Sequence, residues 1–448
     1  MKKKALFIPA SIRSHILPSF YLADMLSIDF EVTYAVTDKV LAESAHKNGF
    51  KTCKISRFKA GCNNEKYFIL DQRKNASFLT ILKCYFKNEL YWKRKNEIDE
   101  LLEQVKPDVV LVDVYCSTDF LFLYLHSKKI KIAFFNPMPS TYNVEGYPSV
   151  DDNVWLKDNN KYSTNKSIKL SELIMSPQNA ILKWVSEKQM QKLIRWSKIP
   201  SEHSLIENKF IKAFKNIPEL LLLPLEFEFS PAIKKDYQHY LGLSQHENRV
   251  DTELDSAFDE KWEGVLEKKH EGSKIVYCSF GTFFENAHPR LLDFINMVLE
   301  VIDSIPNVFL VCSVNRYVVQ TLYAQHRVFK NAAFFYKVPQ LQVLKIADLF
   351  ITHGGLGGIK ESIYYKVPML VYPLDIHYDQ CGNALKVEHH GIGLKGNFMY
   401  EQKNYMQAKV KKLLYDISFK IKINEFRANI NTVYTNKYHE DLLNKILA

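Results

Sequence analysis

From its first residues the chain alternates short, unbroken apolar runs with amphipathic stretches. KALFIPA is followed by LPSFYLADMLS, then by FEVTYAV, DKVLAESAHKNG and KTCKI, and PDVVLVD and IKIAFFN continue the series. Runs that lack a polar residue at every second position suit strands covered on both faces, as in parallel sheets. Strand and helix repeated in this order imply a doubly wound sheet. The rhythm restarts at KIVYCSFGT (274–282) and runs through NVFLVCS, AAFFYKV, DLFITHGG and PMLVYPL. Two series need two cores, and a length of 448 residues favours the same division.

The expected organisation follows. A first α/β domain covers 1–242, with an irregular or helical insert at 150–215 where the rhythm breaks. A polar linker, LSQHENRVDTELDSA, occupies 243–257, and a second doubly wound domain covers 258–430. A C-terminal helix within 431–448 crosses back onto the first domain.

Charge and cysteine usage narrow the class. The 60 Lys and Arg against 50 Asp and Glu give a net charge of +10, spread along the chain rather than gathered in a stripe. That argues against nucleic acid and leaves contact with an anionic substrate or membrane face open. The seven cysteines form no CxxC pair and sit mostly in apolar runs, the usage of reduced thiols in a cytoplasmic protein and not of a disulfide or zinc framework. The basic start MKKK precedes only Ala5–Ala10 before Arg13, which reads as a first strand and not a signal peptide. The apolar region near 109–125 is interrupted by Asp113 and Asp119, so no transmembrane span is expected.

The segment ITHGGLGGIKE (351–361) carries the chemistry. DLFIT reads as a strand, and GGIKESIYY opens a helix that ends at Val367-Pro368. Four glycines therefore occupy the turn from a strand's carboxyl end to a helix's amino end, where free N–H groups and the helix dipole suit phosphate. His353 can donate to the same anion, and Glu361, one turn inside the helix, can accept from a ribose hydroxyl. Together they suggest a nucleotide diphosphate; the plain alternative is a glycine turn that serves packing alone. The loop after the first strand, PASIRSHILPS, has no glycine, so the dinucleotide fingerprint is missing, as are the P-loop, HExxH and GxSxG.

The wider stretch 338–394 resembles the nucleotide-sugar signature of glycosyltransferase family 1. Pro339-Gln340, His353, Gly355, Glu361, Pro368, Pro373, Asp379-Gln380 and Asn383 fall in its order and spacing. The double glycine at 357–358, in place of the Asn-Ser of plant members, is similar to the bacterial macrolide and carotenoid branch. The resemblance implies a GT-B architecture, two Rossmann-like domains facing a central cleft, and a UDP-sugar as co-substrate with no cofactor or metal. It also implies roles. His353 would bind the pyrophosphate with the amides of Gly357 and Gly358, Glu361 the ribose, and Asp379 and Gln380 the donor sugar, with Asn383 a weaker contact. Val338 and Gln340 would be further donor contacts, and Ser279, Gly281 and Thr282 of SFGT would approach the diphosphate. Where the family usually has a tryptophan that stacks on uracil, this chain has Lys337 beside Tyr336. Either Tyr336 stacks, or the Lys337 stem lies along the base, or the base is not uracil; UDP is the favoured reading.

Transfer to a hydroxyl needs a base, and a histidine at a strand's carboxyl end suits that task. His15 in SIRSHILPS lies there, and the resemblance places the family's catalytic histidine on it, with Ser14 replacing a glycine. Its orienting carboxylate would be Asp113, which ends the apolar run VVLVD; Asp119 is the competitor but suits the following helix. The implied activity is an inverting transfer of a hexose, glucose foremost, to a small lipophilic or aromatic acceptor. Tyr115, Tyr142 and His377 are candidate acceptor contacts. The rival readings are a nucleotide-sugar epimerase or hydrolase on the same fold and a non-catalytic partner protein.

Overall fold

The computed structural model describes residues 2–155, 177–281, 289–325 and 329–447. Its first sheet is built from β1 (Lys3–Ile8), β2 (Phe30–Val36), β3 (Lys51–Lys54), β4 (Val109–Asp113), β5 (Lys131–Asn136), and, after a two-stranded hairpin of β6 (Leu205–Asn208) and β7 (Ile211–Phe214), from β8 (Glu219–Leu221) and β9 (Gln238–Tyr240). The order is β3-β2-β1-β4-β5-β8-β9 and every pairing is parallel. The second sheet has β10 (Lys274–Ser279), β11 (Val308–Ser313), β12 (Ala332–Phe335), β13 (Leu349–Thr352), β14 (Met369–Val371) and β15 (Gly393–Lys395). Its order is β12-β11-β10-β13-β14-β15, again all parallel. The α/β reading of the sequence holds, and the two Rossmann-like units form a GT-B architecture.

The apolar runs explain the layering. Every residue of β4 and β11 is buried, because helices cover both faces of each sheet. Two hydrophobic clusters flank the first sheet and two the second. One of the latter takes in Leu221, Leu223, Phe227 and Tyr240 from the first half, so the halves share apolar core. A buried ion pair reinforces it: Lys386 Nζ lies 2.7 Å from Glu228, whose other oxygen accepts from the Ser140 amide at 2.8 Å. The helix Asn436–Leu447 lies against the first half, with Leu442 and Leu447 in its core and Tyr438 donating to the Tyr240 carbonyl at 2.9 Å.

Two features differ from the expected organisation. The insert contains the helix Pro177–Trp196, in keeping with the helical reading, but also an unexpected antiparallel hairpin, β6–β7, whose two-residue turn places Lys209 at φ +57°. Its strands are only four residues long and interrupted by Glu207 and Lys212, too short for alternation to stand out from a charged loop. The segment 243–257, read as a linker, has no helix or strand but forms part of the cleft wall described below. Among the described residues no helix is long and apolar enough to cross a membrane, and the seven cysteines are free.

Candidate active site

Strand order reverses between β1 and β4 in the first sheet and between β10 and β13 in the second. Open sheets bind ligands outside the carboxyl ends of the strands at such a switch point, because the two connecting loops diverge there. Here the two switch points face one cleft of about 840 Å³, lined by both halves.

On the first side, the chain leaves β1 and enters the helix Arg13–Leu26, which carries His15 in its first turn. Asp113 is the last residue of β4 and is fully buried. Its carboxylate accepts from His15 Nδ1 at 2.9 and 3.1 Å, from the Tyr115 amide at 2.8 Å and from the Ala10 amide at 3.2 Å. Four contacts on one carboxylate fix its orientation, and through it the imidazole. The Tyr115 ring stacks on His15 with centroids 4.5 Å apart, closing the other side. Asp119 is engaged elsewhere: it takes a two-pronged ion pair from buried Arg94, at 2.8 and 2.6 Å.

On the second side, the glycines divide the labour. Gly354 stands at φ +90°, a left-handed turn that lets the chain leave β13 and enter the helix Leu356–Tyr364. Gly355 and Gly281 make room for the His353 ring: a Cβ built on Gly355 would lie 2.7 Å from its Nε2, and one on Gly281 2.9 Å from its Cε1. Gly357 faces open space. The helix begins at Gly355 with no side-chain cap, which leaves the amides of its first turn for a ligand. Burial pushes the His353 imidazole down to about 4, so it is neutral in the free protein.

Around this turn lie the remaining residues singled out in the sequence. Ser279, Val338, Gln340, Asp379 and Gln380 line the cleft. Glu361 is already held: Arg249 donates to one oxygen at 2.6 Å and Gln340 to the other at 2.5 Å. Gln380 accepts the Leu374 and Asp375 amides at 2.9 and 3.0 Å, which orients its amide group. Burial raises the Asp379 carboxyl above the usual carboxylate range, and the hydrogen bond from Asn383 and the charges of Lys386 and His15 oppose it. Tyr336 and Lys337 both line the cleft, but neither is a free stacking platform. The Tyr336 hydroxyl donates to the Leu254 carbonyl at 2.8 Å and Arg316 covers its ring at 4.2 Å. Lys337 Nζ turns to the Thr252 carbonyl, and burial pushes it down to about 8. Thr282 lies outside the described residues.

Three expected contacts are not part of the cleft. Asn383 is fully buried and acts as a brace, donating to the Gly354 carbonyl and to Asp379, each at 2.9 Å. Tyr142 turns away to pair its hydroxyl with Tyr237 beneath Lys235. His377 is exposed on the loop ahead of Asp379 and does not reach the cavity. A tyrosine or histidine near a strand end carries no signal of which way its side chain turns, and here neighbouring polar partners decided.

The sequence reading passed over other wall residues. Arg249, Asp251 and Glu253 come from the 243–257 segment, where the charge-rich HENRVDTELD was the available signal. Arg13 crosses from the first half to pair with Glu253. Arg316 opens the helix after β11. Lys360 is buried, donates to the Leu222 carbonyl across the halves, and is pushed down to about 7 by burial.

Residues 252–429 match the model of the family described as UDP-glucoronosyl and UDP-glucosyl transferase. An uncharacterised UDP-glucosyltransferase, YdhE, of Bacillus subtilis (strain 168) is 29% identical over 118 residues, 26% of this chain and 28% of that protein. The oleandomycin glycosyltransferase of Streptomyces antibioticus is 29% identical over 159 residues, 34% of this chain and 35% of that one. The matched stretches thus span about a third or less of these curated relatives. Among solved structures, the glycotransferase of kitacinnamycin superposes over the whole of both chains with a TM-score of 0.68 at 19% identity, a likeness of fold.

Proposed function

From the match of residues 252–429 to the UDP-glucoronosyl and UDP-glucosyl transferase family, we propose that this chain is an inverting glycosyltransferase of that family. It moves a hexose, glucose in our reading, from UDP to a hydroxyl of a small lipophilic or aromatic acceptor. One observation carries this reading: the His15–Asp113 pair and the turn 353–358 face each other across one cleft.

The chemistry follows from that placement. Asp113 engages His15 Nδ1, which leaves Nε2 to take the acceptor's proton. The acceptor oxygen forms its bond to the anomeric carbon as the bond from that carbon to the UDP oxygen breaks on the opposite face. An α-linked donor then yields a β-glycoside, the proton rests on His15 until solvent removes it, and UDP departs. The amides of the first turn of Leu356–Tyr364, the dipole of that helix and His353 meet the charge that grows on the diphosphate. These groups take the part a metal ion plays elsewhere, so we propose that none is required. Asp379 and Gln380 hold the hexose and Glu361 the ribose, while Tyr115 and Met138 meet the acceptor.

The test is a screen of nucleotide sugars against pooled phenolic, polyketide, sterol and carotenoid alcohols, read by mass spectrometry together with UDP release. Acceptor-dependent UDP release, a hexosyl adduct from UDP-glucose and a β-linkage by NMR are the expected results. UDP release at one rate with and without acceptors would establish a hydrolase, and an α-linked product would remove the single displacement.

A further inference from the structure

The helices Glu65–Gln72, Phe78–Lys87, Glu89–Val105 and Pro177–Trp196 cover one side of the first half, and their outer surfaces are unusual. The second and last of them are amphipathic, with Ile81, Cys84 and Tyr85 on one and Leu182, Val185 and Met190 on the other turned to the core. Gln189 ties them together, donating to the Tyr85 carbonyl at 3.2 Å and to Asn88 at 3.3 Å. The opposite faces should then be polar. Instead Leu79 and Phe86 are 68% and 69% exposed, and Trp184 59%, with Ile181, Trp92 and Trp196 also open to solvent. Spacing puts Leu79, Lys83, Phe86 and Lys87 on one helix face, and Ile181, Trp184, Lys188 and Arg195 on the other. Trp92, on the helix Glu89–Val105, meets Trp196 at 5.8 Å between ring centroids.

Charge accompanies this apolar surface. The helices Phe78–Lys87 and Pro177–Trp196 together carry six basic side chains against one acidic, whereas Glu89–Val105 beside them carries five acidic against three basic, with Arg94 buried against Asp119 and Lys95 paired with Asp99. Those two helices thus hold a surplus of five positive charges. Spread along the sequence, the cations are gathered by the fold.

We infer that this face docks on an anionic phospholipid surface. A protein-binding patch is depleted of lysine, yet five of these six cations are lysines. A nucleic-acid groove sets its cations among rings on which bases stack, whereas here aliphatic Leu79 and Ile181 share the exposed surface with the rings, as suits an acyl boundary. Tryptophan and phenylalanine set among lysines match an interfacial surface, where the rings enter the headgroup boundary and the ammonium groups meet lipid phosphate. The inference is independent of the reading of the cleft.

Flotation of the full chain with phosphatidylcholine vesicles, with and without phosphatidylglycerol, tests it. The chain is expected to float with the anionic vesicles only, to be released by high salt, and to shift its tryptophan emission to the blue on binding. Replacing Lys83, Lys87 and Lys188 by Glu removes about fivefold in partition per lysine, on the order of 100-fold together. The pair Phe86→Ser and Trp184→Ser lowers binding at least about tenfold, with the melting curve and UDP affinity unchanged. Failure of the wild-type chain to float with anionic vesicles would overturn the inference, as would undiminished binding by either variant. A dimer dispersed by Trp184→Ser would assign the face to a second copy instead.

Discussion

The two switch points have one topology and opposite contents. Beyond β1 and β4 the crevice is filled by side chains: an imidazole clamped by a buried carboxylate and covered by Tyr115. Beyond β10 and β13 it is emptied by glycines, and what remains is backbone amide and one neutral imidazole. The difference teaches that the doubly wound sheet supplies a place, and the loop residues decide its chemistry. A crevice with a fixed base can take a proton; one lined with amides can hold an anion but has little to transfer.

If that division is right, damage to each crevice should produce a different loss. His15→Ala removes the base and should lower the transfer rate by about 10²–10⁴-fold, with UDP affinity from calorimetry unchanged. Asp113→Asn should approach the same loss while leaving His15 in place, because the amide no longer stabilises the imidazolium. Equal loss of UDP affinity in either variant would break the comparison. Gly355→Ala is the converse. Its methyl group would meet His353 Nε2, so UDP affinity should fall at least about tenfold, with the His15–Asp113 geometry intact.

A smaller effect is expected at Glu361→Gln, read as a lowered melting temperature. Removing its charge leaves the largely buried Arg249 side chain with one charged partner instead of two, at a cost of about 1–3 kcal/mol. Asp251, 3.0 Å away, limits the loss. Smaller again is the pH effect on UDP binding. His353 titrates near 4 in the free protein, and an adjacent diphosphate raises that value, so the bound state takes up protons. UDP affinity should therefore rise as the pH falls below neutral, with proton uptake visible in calorimetry in buffers of different ionisation enthalpy. Affinity that weakens with acidification would show that His353 does not face the diphosphate. A chelator should change the transfer rate least of all.

Much of this was legible because it is local. Parallel strands buried on both faces must be continuous apolar runs, and a glycine turn between strand and helix is a contiguous string. The pairing of His15 with Asp113 could be proposed from the family resemblance together with their positions, since both sit at the carboxyl end of the same sheet. Asn383, Tyr142 and His377 show the limit: position in a motif or loop does not say where a side chain turns. Arg249 and Arg13 show it in reverse, since nothing near them in sequence is the partner they meet.

By itself the order of residues determined two doubly wound sheets, the strand–glycine–helix turn and the place of a histidine just beyond the first strand, because each depends on periodicity and conformational freedom within a dozen residues. Only tertiary structure decided that the 243–257 segment walls the cleft, that Glu361 is held by Arg249, and that scattered lysines share one face with exposed aromatic rings. Those outcomes depend on which distant side chains burial brings together, and neither charge pairing nor solvent exposure is a property of neighbours in the chain.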